Sequence, residues 1–253
     1  MTRLVRAELT KLRTTRLLYG LAAAMTAFAV LTVIALATTP DIERDPSLSA
    51  DSLPMLVGGP VTLLAGAALL LGILGMAGEF RHQTVTQTFL VTPDRGRVVA
   101  AKLVAYPLAG IALALVTLAV TAAVAAGWLA AKGITPSLPD ARLGLAYGRM
   151  VGVALLGAAL CGLVGVGVAA LVRNQVAALV GVAVWVLVVE GLLMSLLNAP
   201  SSWAKWLPSA AAAAITSPGG VHLSRLGGSL LLAGYALAFA LVGTRLVVRR
   251  DIT

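Results

Sequence analysis

The chain reads as an all-α protein that crosses a membrane six times, and three observations lead there. Of its 253 residues, 59% are hydrophobic and 11% charged, under half the roughly 25% charged residues of a soluble domain. Too little polar surface remains to solvate a globule, so a soluble enzyme is excluded, and disorder would need the opposite balance. Six apolar stretches are long enough to cross about 30 Å of hydrocarbon, for which ~20 residues suffice. None has a polar face along its length, so a soluble bundle of buried helices fails as well.

The elements follow in order. Residues 1–16 place Leu4, Val5, Leu9 and Leu12 on one helical face, with Arg3, Arg6, Lys11 and Arg13 around the rest. A basic amphipathic helix leading into a span lies in the headgroup layer, apolar side down. A plain topology anchor would explain the arginines, though not the regular leucines. Glu8 and Lys11, at i,i+3, pair on the polar side of that helix.

Spans are expected at 17–38, 55–77, 103–131, 146–172, 176–197 and 227–248. Ala35-Leu36-Ala37 has the small-x-small pattern of a cleaved leader. The apolar run before it is ~20 residues rather than about 7–15, so an uncleaved first helix is expected. Turn-forming segments such as Pro40 to Pro54 and Pro136 to Asp140 separate the spans. Pro107 is expected to kink the third. Gly148, Gly152, Gly157, Gly162, Gly165 and Gly167 read as sites of close helix approach. The single cysteine, Cys161, excludes a disulfide framework and reads as a packed hydrophobe.

A net charge of +9 suits nucleic acid in a soluble protein, but cytoplasmic loops of membrane proteins also collect Lys and Arg. With the N-terminus inside, residues 1–16, 78–102, 173–175 and 245–253 hold 13 of the 19 Lys and Arg. That asymmetry puts both termini in the cytoplasm and requires no nucleic acid.

Residues 78–102 are far longer than a connection between two spans needs. They open with Glu79, Phe80, Arg81, His82 and Thr84, and Pro93 ends any helix begun near Glu79. A short terminated helix here is a docking knob for a soluble partner, or else an idle linker. Glu190 is the one acid deep in a span, where a partner, a water-filled cavity or protonation must offset its burial. It reads either as part of a translocation path or gate, or as a structural acceptor for a Ser, Thr or Tyr. In the external segment 198–226, Leu207 to Thr216 are too short to span and read as a re-entrant or interfacial helix, with Trp203 and Trp206 in the headgroup belt. His82 and His222 fall on opposite sides, so no metal site is expected.

Together, Glu8-Leu9-Thr10-Lys11-Leu12-Arg13, Glu79-Phe80-Arg81-His82 with Thr84, Pro93 with Arg95, and Ala101-Lys102-Leu103 resemble permease subunits of ABC-2-type transporters, nearest the actinobacterial drug- and antibiotic-export branch. The likeness covers the whole chain, including Glu190 and Trp206-Leu207-Pro208 before the last span. One departure is Gln83, where such proteins usually have Gly.

The resemblance implies a permease dimer, homo- or hetero-, exporting an amphiphile across a bacterial cell membrane. A separate ATPase subunit would hold the ATP and Mg²⁺. It also implies that residues 1–16 form a connecting helix and that 78–102 carry the coupling helix. Glu79, Phe80, Arg81, His82 and Thr84, with Glu8 and Lys11, would then meet the ATPase. The chain has no Gly-Lys dipeptide and so no GxxxxGK[ST] phosphate loop of its own. Rival readings are an ATP-independent secondary transporter, an intramembrane enzyme, and a non-transporting scaffold. The enzyme lacks an HExxH or a paired acid within the spans.

Overall fold

The computed structural model describes residues 1–38, 61–84, 90, 94–133, 141–196, 203–216 and 223–249. Thr2–Thr14 form α1 and Arg16–Ala37 form α2; Thr15 between them is extended, which stops one helix before the next begins. α3 covers Val61–Arg81, α4 Arg95–Ala131 and α5 Ala141–Val172. α6, Gln175–Val184, runs through a π-helical turn at Trp185–Val189 into α7, Glu190–Leu196. A 3-10 turn at Ala204–Trp206 precedes α8, Pro208–Thr216, and α9 is Arg225–Arg249.

The protein is all-helical among the described residues, and six helical units are long and apolar enough to cross a membrane. These are α2, α3, α4, α5, the continuous α6–π–α7 unit and α9. Their ends differ from the hydropathy boundaries. α3 continues past Ala77 to Arg81, α4 begins at Arg95 rather than Leu103, and α5 begins at Ala141 rather than Ala146. Apolar runs stop at the first charge, but a helix does not when that charge finds a partner. The expected turns at 40–54 and 136–140, residues 55–60, most of 85–93, His222 and the last four residues lie outside the described residues.

α5 is the centre of the bundle, packed along α3 on one side and α9 on another. Glycine permits this. A Cβ on Gly72 would lie 2.4 Å from the Gly162 carbonyl oxygen, and one on Gly165 2.2 Å from that of Leu69. The two backbones therefore touch, as association in lipid through van der Waals contact requires. Gly167 does the same for α9, where a Cβ would sit 2.7 Å from Phe239 Cβ. Gly148 and Gly152, expected to act likewise, face open space, and Gly157 meets only Ala65 at 3.8 Å. α4 passes through Pro107 as one continuous helix, and Gly162 lies against the proline ring's backbone.

Candidate functional site

The first functional constellation is built where α1 crosses the ends of α3 and α4. α1 is amphipathic, but the face it turns inward carries Glu8 as well as Leu12; both are buried. Glu8 thus does not lie on the solvent side of the helix, where the sequence pattern places it. Its carboxylate meets Lys11 at 2.8 Å, the expected i,i+3 pair, and Lys102 at 2.7 Å. Lys102 is fully buried, in the first part of α4, and also reaches Glu79 at 2.8 Å. Lys11 completes the ring with a 2.8 Å contact to the same Glu79 oxygen. Two carboxylates and two ammonium groups alternate, with no net charge. Lys102 further lies 5.7 Å from the Tyr106 ring centroid, a cation–π distance. Tyr106 fits only because Gly75 has no side chain, since a Cβ there would fall within its ring. Partial burial alone would lower the Lys11 ammonium; hydrogen bonds and charges from Glu79 and Glu8 outweigh it and hold it above its ordinary value.

Glu79, Phe80 and Arg81 form the last turn of α3 rather than the start of a separate helix. The helix is closed by a paired cap: Thr84 N–H donates to the Glu79 carbonyl at 3.1 Å and Gln83 N–H to that of Phe80 at 3.3 Å. This Schellman arrangement needs a left-handed residue before its last donor. Gln83 supplies it at φ 54°, which accounts for the glycine usual at that place in the resembled family. The helix containing Glu79 therefore ends at this cap and not at Pro93, which lies outside the described residues. Side-chain roles divide. Glu79 is 12% exposed and held in the ring. Phe80 lies beneath the Arg173 guanidinium, 6.0 Å from ring to carbon. Arg81 and His82 are exposed, and Arg81 reaches Gln175 at 3.5 Å. Asp94 opens α4 by accepting from Arg97 N–H at 3.1 Å.

The second constellation surrounds Glu190, which is 3% exposed. In the π turn its backbone N–H donates to the Trp185 carbonyl, five residues back. An α-helix would set residues five apart about 140° away from each other. The wider turn instead brings the Trp185 indole onto Glu190, where Nε1 donates to Oε1 at 2.7 Å. The other carboxylate oxygen accepts from the Ser209 hydroxyl. Ser209 belongs to α8, the short helix expected near residues 207–216. Leu207 ends the 3-10 turn and Pro208 opens α8, a position where its missing N–H is harmless. Trp206 is exposed, and its carbonyl accepts from Tyr235 Oη at 2.7 Å. Glu190 thus accepts from a serine of a neighbouring helix, a contact compatible with either role read from the sequence. Cys161 is buried in the α3–α5–α8–α9 core.

Sequence reading missed Lys102 as a partner and Ser209 and Trp185 as ligands of Glu190. Lys102 carried one signal, a lone charge leading an apolar run, but its partner Glu8 is 94 residues away. Among the described residues no three His, Cys, Asp or Glu are placed to hold a metal. No protein-family model matches the chain, and a search of curated proteins finds no match either.

Proposed function

We propose that the chain is the transmembrane permease subunit of an ATP-driven ABC-2-type exporter, a homo- or heterodimer in a bacterial cell membrane. Its partner would be an ATPase docked on the cytoplasmic side, with both termini on that side. The observation that carries this reading is the ring of Glu8, Lys11, Glu79 and Lys102, in which Glu8 and Lys102 are buried. Closure of a soluble ATPase moves membrane helices only through a stiff joint between what it grips and what must tilt. The ring is such a joint: it ties α1 to the ends of two spans, α3 and α4, while Arg81 and His82 stay exposed for a partner. The motif resemblance points the same way.

In this reading the amphiphilic cargo (drug, antibiotic, lipid or peptide) passes between the spans, and the Glu190–Ser209 contact holds α8 at the outer gate. Purification of the tagged chain from its native membranes is expected to bring down a protein with a GxxxxGK[ST] loop, whose ATP hydrolysis rises in the complex. Charge reversal at Arg81 should uncouple that hydrolysis from export while the protein still inserts. Isolation of the chain alone, or export that survives without ATP, would favour the secondary-transporter reading instead.

A further inference from the structure

Beside the charged ring lies a cleft of about 710 Å³ between the α1–α2 junction and the end of α3. This is within the roughly 300–1,000 Å³ of small-ligand pockets. Its walls divide by polarity. Leu12, Leu17 and Leu74 are buried or half-buried and give an apolar floor, while the exposed Arg81 and His82 stand at the rim. Glu79 also lines the cleft, but Lys11 and Lys102 already neutralise it. Arg81 has no carboxylate partner among the described residues, so the rim carries an uncompensated positive charge. The height matters too. Arg81 ends a span, and the neighbouring α1 is an amphipathic helix of the kind that lies at the headgroup boundary.

A cationic rim over an apolar floor at that depth matches one class of molecule. We propose that the cleft binds an anionic phospholipid, its phosphate between Arg81 and His82 and its first methylenes on Leu12, Leu17 and Leu74. Basic pockets between spanning helices recognise anionic headgroups by this charge pairing. A docked ATPase would compete for Arg81 and His82, so the lipid is proposed for the chain on its own, and its test uses the chain without a partner.

The test is lipid retention by the purified full chain, read by native mass spectrometry after exchange into equal phosphatidylglycerol and phosphatidylcholine. Preferential retention of phosphatidylglycerol is expected. Arg81→Gln should weaken it about fivefold, and His82→Gln combined with it should weaken it further. Arg81→Lys with His82→Arg should preserve it, which separates loss of charge from loss of fold. Arg3→Gln, removing an exposed α1 cation outside the cleft, should have little effect. Equal retention of both lipids would overturn the proposal, as would undiminished retention in the Arg81→Gln/His82→Gln variant, or a loss in Arg3→Gln as large as in Arg81→Gln. Competition by glycerol 3-phosphate as effective as the lipid's own would reassign the cleft to a free phosphate.

Discussion

The two constellations bury acid in opposite ways. Around Glu8 and Glu79 every carboxylate faces two ammonium groups, and the four charges cancel within hydrogen-bonding distance. Around Glu190 the donors among the described residues are an indole and a hydroxyl, both neutral. In the first arrangement, removing any member strands a charge. The second holds no paired charge, and losing one of its donors costs a single hydrogen bond. One is therefore a fixed joint and the other a releasable latch on α8.

The comparison breaks most visibly at Lys102. Lys102→Met leaves Glu8 and Glu79 facing each other with only Lys11 between them, and should destabilise the protein by about 3–5 kcal/mol. Unfolding in detergent followed by circular dichroism measures it; a loss under ~1 kcal/mol would mean the ring is not a joint. Glu190→Gln should behave quite differently. It keeps an acceptor for Trp185 or Ser209, so its loss should stay near ~1 kcal/mol. Under the proposed function, export by this variant shows whether charge at the latch is used. Ser209→Ala removes one interhelical hydrogen bond, worth about 0.6 kcal/mol by the average for membrane helices. Its expected signature is faster thiol labelling of Cys161 beneath a loosened α8.

The smallest effect is one of pH. The Lys11 charge is held above its ordinary value of 10.5, so its contribution is complete below that pH and disappears as pH rises through the higher folded value. A dye placed by Arg13→Cys in a Cys161→Ser background should report constant anisotropy from about pH 7 to 10, then freer motion of α1. Loosening already at neutral pH would contradict the pairing.

Much of the architecture was legible, for a physical reason. The bilayer fixes both the length and the polarity of a span, so α2, α4, α5 and α9 follow from apolar runs alone. Helix ends were less so, because Glu79 and Lys102 sit inside helices through pairings that no local window contains. The Glu8–Lys11 contact is local and could be read from spacing. The inward direction of Glu8 could not, since it depends on Lys102. The π turn left no trace either: Trp185-Val186-Leu187-Val188-Val189 has the composition of any apolar helix. Glu190 stood out by its cost in hydrocarbon, although its partners did not.

A π turn amounts to one surplus residue inserted into a helix. Rewinding Trp185 to Val189 as ordinary α-helix, with no residue removed, would rotate everything downstream by about 100°. Glu190 would then swing out of the protein interior towards the acyl chains, and α8 would lose its tether. One surplus residue in the winding thus sets which way Glu190 points.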